Sequence, residues 1–281
     1  MKLVIGLVLY STEPSHSSTL NSMSSIDFDS LGLEVTFYIR DNSSNGFGQT
    51  VIESYFGDND VFYDHDGSNM SLSKVYNRMI DYKPSADAIL FFDDDSVVNE
   101  EYFRQVIKFM LSESMVAIPL IYFSGELISP GKIRGIKGCK LKDKDLSVNI
   151  DNFDLVAMMS GTIAKLEIFS RHNLAFNEKL TVYGVDTRFF LDCMNNNIPL
   201  YILDFSMEHD SALRSVVYDF DAMYSRFLNL MKAQFFIHEN KPLYKLYLFL
   251  YFPAFIFGKV LRLKDIRFFK LFSSYRFFWE L

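Results

Sequence analysis

Ala88-Ile89-Leu90-Phe91-Phe92 is a run of five apolar residues that leads straight into Asp93-Asp94-Asp95. An unbroken apolar run of this length is the pattern of a strand covered on both faces, as at the centre of a parallel sheet. Parallel strands need crossover connections, mostly helices, so this one run commits the chain to an α/β layering. It also sets three carboxylates at the strand's carboxyl end, where open α/β sheets build their ligand sites. Carboxylates crowded there repel one another and require a counter-charge. The simplest is a divalent cation with oxygen ligands, which can in turn bind the phosphates of a nucleotide. The same residues also read as a solvated acidic turn, or as the cap of a helix beginning near Glu100.

The rest of the chain repeats the alternation of strand and helix. Residues 3–10 form an apolar run followed by Ser11-Thr12-Glu13-Pro14, with no small-residue cleavage site. This reads as a first buried strand rather than a signal peptide. Residues 11–25 read as a polar loop. Strands are expected over 33–39, 61–63, 88–92, 116–123 and 200–203. Helices are expected over 69–82 (with Ser71 as N-cap), 100–112, 166–171, 187–196 and 218–239. Residues 125–151 carry Gly, Pro and a lysine cluster and read as a mobile insertion or hairpin over the site.

Composition narrows the function. Net charge is −7, yet residues 241–281 hold eight basic residues against Asp265 and Glu280, a local +6. An acidic body argues against nucleic-acid binding, and a basic, aromatic tail points to an anionic surface. Residues 246–258 are thirteen uncharged residues, short of the ~20 that span a bilayer, with Pro253 expected to break them. Helices lying in the membrane interface fit this tail; packing on its own domain, or a homodimer interface, remains open. Cys139 and Cys193 are far apart and in no metal-ligand spacing, so they read as thiols of a reducing compartment.

Four polar groups follow strand-like runs: Asp41-Asn42-Ser43-Ser44, Asp66 with Asn69, Asp93 to Asp95, and Asp186. In a parallel sheet they can share one edge. In their order and spacing they resemble the family 2 glycosyltransferases of GT-A fold, and among them the bacterial rhamnosyltransferase-like branch. The resemblance covers roughly residues 2–211. Asp41-Asn42-Ser43-Ser44-Asn45 is similar to the turn "DNxSxD", and Asn69 to Asn77 to "NxGxxxxxN", with Ser71 in place of Gly. Phe91-Phe92-Asp93-Asp94-Asp95-Ser96 is similar to "LLDQDS", and Ser160-Gly161 to the "SG" loop beside donor sugar and acceptor. Tyr183-Gly184-Val185-Asp186 is similar to "YGED", of which only the Asp carries over.

The resemblance implies a mostly parallel, Rossmann-like GT-A sheet flanked by helices. A catalytic domain would occupy residues 1–215 and a helical, membrane-associating extension residues 216–281. Asp93, Asp95 and His209 would hold Mg²⁺ or Mn²⁺. Asp41, Asn42, Ser44, Asp66, Asn69, Asn77, Asp94, Ser160 and Gly161 would bind the nucleotide-sugar donor, and Asp186 would be the general base. The implied reaction is inverting transfer from a dTDP- or UDP-sugar to a lipid-linked glycan of O-antigen or capsule type, on the cytoplasmic face of the inner membrane. Two rivals remain: a nucleotidyltransferase, whose Gly-rich, Lys/Arg-bearing loop is missing from residues 11–25, and an inactive scaffold of the same fold.

Overall fold

The computed structural model describes residues 1–82, 85–135, 137–141, 154–208 and 219–275. Its main sheet has, among these residues, eight strands. Six run parallel: β1 (Lys2–Leu9), β2 (Glu34–Asp41), β3 (Asp60–Asp64), β4 (Ala88–Asp93), β5 (Val116–Phe123) and β11 (Leu200–Glu208). β10 (Thr162–Lys165) is wedged antiparallel between β4 and β5, giving the order β11-β5-β10-β4-β1-β2-β3, and β6 (Glu126–Ser129) pairs with β5. A second, three-stranded sheet joins β7 (Gly131–Arg134) to β8 (Lys137–Lys140) and β9 (Leu155–Val156), so a hairpin does form in this insertion. Residues 142–153 lie outside the described residues.

The buried runs explain the sheet. One set of alternate residues (Leu3, Ile5, Leu7 and Leu9 of β1, Val35, Phe37 and Ile39 of β2, Leu90 and Phe92 of β4) forms one core. It is covered by α1 (Ser18–Met23), α2 (Gln49–Glu53) and α4 (Glu100–Met110), through Leu20, Met23, Ile52, Tyr102, Phe103, Val106 and Phe109. On the other face Tyr76 of α3 (Leu72–Tyr82) packs against Phe91 and Phe176, with ring centroids 5.0 and 4.9 Å apart. Phe176 in turn stacks on Phe189 of α6 (Val185–Asn195).

Several expected elements shift. Residues 11–25 are not all loop: Ser17 accepts a hydrogen bond from the Leu20 backbone N–H and caps α1, whose Leu20 and Met23 are buried. α6 begins at Val185, two residues early, so Asp186 lies inside its first turn rather than at its cap. The expected helix near 166 is the short α5 (Glu167–Arg171).

The chain divides into two compact units, Met1–Glu178 with Val185–Asp210, and Lys179–Gly184 with Ser211–Leu281. The second unit is helical: α7 (Phe220–Ile237), α8 (Pro242–Leu263), a 3₁₀ turn at Ile266–Lys270 and α9 (Leu271–Tyr275). The expected break at Pro253 does not occur. α8 runs through it as one 22-residue helix, about 33 Å long, and is long and apolar enough to cross a membrane. A proline inside a helix removes one backbone donor, a local cost that the buried contacts of Leu248, Phe252, Ile256 and Val260 along one face offset. The other face leaves Leu243, Leu246, Leu250, Phe257 and Leu261 exposed. Several tail cations sit over rings, among them Lys259 over Phe227 at 4.4 Å and Arg267 over Phe220 at 4.3 Å.

Candidate active site

Register brings the strand ends together. Asp93 pairs with Val8, Leu9 with Asp41, and Arg40 with Asp64, so the carboxyl ends of β1 to β4 form one edge. The turn 93–96 at the end of β4 is held by the segment after β1. Thr19 Oγ1 donates to the Asp93 carbonyl (2.5 Å) and accepts from the Ser96 backbone N–H (2.8 Å). Ser17 Oγ donates to the Asp94 carbonyl at 2.9 Å. Ser96 and Ser160, both buried, share a hydroxyl contact of 2.6 Å, and Ser160 Oγ also accepts from the Asp93 backbone N–H at 3.3 Å. The acidic turn is thereby fixed to the Ser160-Gly161 loop.

Gly161 has φ +73°, in the left-handed region, and its carbonyl accepts a bond from the Tyr102 hydroxyl. A Cβ there would lie 2.8 Å from the Met207 side chain and 2.9 Å from Pro119, so only glycine fits. Two residues earlier in the same loop, the Met159 backbone N–H donates to the Asp186 carboxylate at 3.1 Å. This brings the first turn of α6 against the loop that also holds Asp93.

The electrostatics follow from that crowding. Burial, and then the charges of Asp186, Asp95 and Asp94, push the Asp93 carboxyl up to about 8. Burial pushes Asp186 up to about 6, against the pull of the Met159 N–H and its own. The Tyr76 hydroxyl is driven well above its ordinary value by burial and by the charges of Asp93 and Asp186. Among the described residues no three His, Cys, Asp or Glu side chains converge to hold an ion unaided. The donor set still fits a hard cation that takes one or two carboxylates together with substrate phosphates. Two mutually repelling, oxygen-bearing groups are what such an ion relieves. His209 lies outside the described residues.

The loops at the other strand ends are built around Arg40, the residue just before the Asp41-Asn42 turn. Its side chain is fully buried. It donates to Asn42 (2.8 Å), Asp64 (3.0 Å), Asp66 (2.6 Å) and the Ser68 carbonyl (2.7 Å). The Ser68 hydroxyl and Arg40 hold the Asp66 carboxyl well below the usual range. Asn42 also clasps the Met70 backbone through both side-chain atoms. Asp41 is enclosed: it accepts from Ser43 N–H, Phe47 N–H and the Tyr63 hydroxyl. Asp41 and Asn42 thus build this rim, while Ser44, Asp66 and Asn69 are exposed on it.

Asn77 stands apart. It is bonded to the Phe176 backbone and to Glu178, and it lines a cleft of about 1190 Å³ with Met1, Ala86 and Asp87, at the amino-terminal edge of the sheet. That larger void lies away from the carboxylates. Arg40, Tyr76 and Thr19 carried no usable signal in the sequence, since each depends on partners far along the chain.

A mostly parallel sheet with an antiparallel strand between β4 and β5, and carboxylates at its carboxyl edge, has the layout of a GT-A-type fold. No protein-family model matches the sequence. The chain is 28% identical over 155 residues to the dTDP-rhamnosyl transferase RfbF of Shigella flexneri, a match covering 53% of this chain and about half (52%) of that protein. Its fold is similar to S. aureus TarS (TM-score 0.54, 15% identity, 84% of this chain and 40% of that one). It is also similar to S. aureus TarS 1-349 in complex with UDP-GlcNAc (0.52, 14%, 84% and 67%). GalNAc-T7 with UDP, GalNAc and Mn²⁺ matches as well (0.55, 12%, 74% and 43%). These likenesses bear out the resemblance drawn from the motifs: the chain has a GT-A-type fold and is similar, over about half its length, to a bacterial dTDP-rhamnosyl transferase.

Proposed function

We propose that this chain is an inverting glycosyltransferase that moves a sugar from a dTDP- or UDP-linked donor to a lipid-linked surface glycan. The observation that carries this reading is the pairing of Asp93 and Asp186, both with raised carboxyls, across the Ser160-Gly161 loop. The relative's name supports a nucleotide-linked deoxysugar, and the neighbours solved with UDP and UDP-GlcNAc support a nucleotide-sugar donor.

In this reading the exposed rim of Ser44, Asp66 and Asn69 borders the nucleobase and ribose, on a frame set by Asp41, Asn42 and Arg40. Asp93 and Asp95, with His209, would hold Mg²⁺ or Mn²⁺, and Asp94 lies beside the donor. A bound cation would supply the positive charge that eases departure of the diphosphate. Asp186, titrating near 6, is ionised at neutral pH yet basic enough to accept the proton of an acceptor hydroxyl. A single displacement with Asp186 on the face opposite the leaving group inverts the anomeric centre. Ser160 and Gly161 fix the distance between the two carboxylates.

Residues 216–281 would attach the catalytic part, residues 1–215, to the cytoplasmic face of the inner membrane. The exposed apolar residues of α8 and the flanking Lys241, Lys245, Lys259 and Arg262 support this. The test is a thermal-shift screen of nucleoside diphosphates and nucleotide sugars with and without Mn²⁺, because a ligand bound only by the folded state raises the melting temperature. Stabilisation by UDP or dTDP that needs the metal and vanishes in Asp95→Ala is expected. Absence of any shift would overturn the donor site in favour of a scaffold.

A further inference from the structure

Residues 94–99 carry the chain from the end of β4 to the start of α4 and belong to no strand or helix. Their backbone groups must therefore find partners elsewhere. Four backbone groups between Asp93 and Val98 find them in one place, the first turns of α1 with its cap. The Asp94 carbonyl accepts from the Ser17 hydroxyl at 2.9 Å and from the Thr19 backbone N–H at 3.3 Å. The Val98 N–H donates to the Ser22 hydroxyl at 3.3 Å. The remaining two, the Asp93 carbonyl and the Ser96 N–H, both meet the single hydroxyl of Thr19, at 2.5 and 2.8 Å. Thr19 is 0% exposed, so water has no access to take over either bond.

From this we infer that Thr19 is a positioning residue for the acidic turn: its hydroxyl sets the spacing of the Asp93 and Asp95 carboxylates. The inference rests on those two carboxylates holding a divalent cation against the donor's diphosphate. Asp93 and Asp95 lie on the stretch whose two ends, the Asp93 carbonyl and the Ser96 N–H, Thr19 ties together. Only a hydroxyl can do this from one small side chain, because it donates one bond and accepts another. Thr19 is also β-branched and so is stiff at χ1, which keeps that oxygen in one place. A hard cation that shares two carboxylates with phosphate oxygens tolerates little change in their separation. Groups that orient metal-binding side chains from behind typically change metal affinity about 10- to 100-fold when removed. On this account the serine- and threonine-rich segment after β1 acts on the diphosphate site through the backbone of the turn, without touching the ligand.

The experiment compares three variants of the full chain. Thr19→Val keeps the shape and removes the hydroxyl, Thr19→Ser keeps the hydroxyl, and Met23→Ala weakens the packing of α1 without removing any bond to the turn. Affinity for Mn²⁺ with UDP or dTDP is measured by calorimetry, well below each melting temperature. Thr19→Val is expected to bind about 10- to 100-fold more weakly, with Thr19→Ser and Met23→Ala close to wild type. Amide hydrogen exchange is expected to quicken at residues 94–98 in Thr19→Val alone, and donor KM to rise more than kcat falls. Wild-type affinity in Thr19→Val, or an equal loss in Met23→Ala, would overturn the inference by reducing Thr19 to a packing residue. Should Thr19→Val fail to fold, Ser17→Ala carries the same test through the Asp94 carbonyl, and wild-type affinity there counts against the inference. If the wild-type chain binds no metal–diphosphate pair, the proposed function fails instead, and exchange at Ser96 alone decides whether Thr19 holds the turn.

Discussion

Asp93 holds an ionisable group where the fold disfavours its charge, so replacing it with the uncharged isostere should stabilise the protein while abolishing its chemistry. The carboxyl moves from an ordinary 3.8 in the unfolded chain to about 8 in the fold. A group whose folded value is raised contributes its full stability below the unfolded value and loses it as pH rises through the folded one. At pH 7 the unfolded carboxylate is ionised and the folded one mostly protonated. At 1.36 kcal/mol per pH unit, the roughly three units between 3.8 and 7 set a ceiling of about 4 kcal/mol. The Asp93 side chain keeps partial solvent access, which screens it, so about 1–2 kcal/mol is the realistic gain for Asp93→Asn. For a chain of this size that is about 3–6 °C.

The assay is a melt of wild type and Asp93→Asn in chelator, from pH 4.5 to 8.5. The variant should melt higher at pH 7–8, and its advantage should shrink towards zero as pH approaches 4, because protonation then removes the same charge from wild type. Asp186, Asp95 and Asp94 face this group and remain in the variant, so some pH dependence survives in both proteins. Adding UDP or dTDP with Mn²⁺ should reverse the order, since only wild type keeps the ligand's carboxylate. A variant that melts lower than wild type at pH 7.5, or an advantage independent of pH, would refute the account of Asp93 as a strained, function-bound charge.

Other substitutions separate the roles of neighbouring groups. Asp186→Asn should lower kcat by a factor of about 10²–10⁴ while diphosphate affinity holds. In wild type kcat should fall about tenfold per unit below pH 6 as Asp186 is protonated, and a profile flat through that range would refute the base assignment. Arg40→Met leaves Asp64 beside an apolar stem and should cost about 3 kcal/mol, read as a lower denaturant midpoint together with weakened nucleotide binding; unchanged stability would show that the buried guanidinium is not the hub of these loops. Gly161→Ala should cost about 1–2 kcal/mol in backbone strain, plus a steric term against Met207 and Pro119, and should lower turnover more than Asp93-side binding.

The parts of the fold that the sequence declares are those where one residue type repeats over a whole element. β1, β4 and β5 are covered on both faces and therefore read as unbroken apolar runs. β10 was not foreseen because it has four residues, Thr162–Lys165, and gains its place only by pairing with β4 and β5 on either side. The break expected at Pro253 failed for a related reason: local chemistry marks a lost hydrogen bond, but the apolar face that holds α8 together is spread over the whole helix.

The site divides along the same line. Asp93 and Asp186 belong to short local patterns, and the 159–161 loop bonds to both of them. What makes that space is not local. Thr19 reaches its partners across 74 and 77 residues, Ser160 reaches Ser96 across 64, and Met159 reaches Asp186 across 27. Each is an ordinary Ser, Thr or Met until the sheet order is known. Charged groups at strand ends announce that a site exists, because few other places tolerate them. The neutral groups that bury them and hold them in place become visible only when distant loops meet on one edge of the sheet.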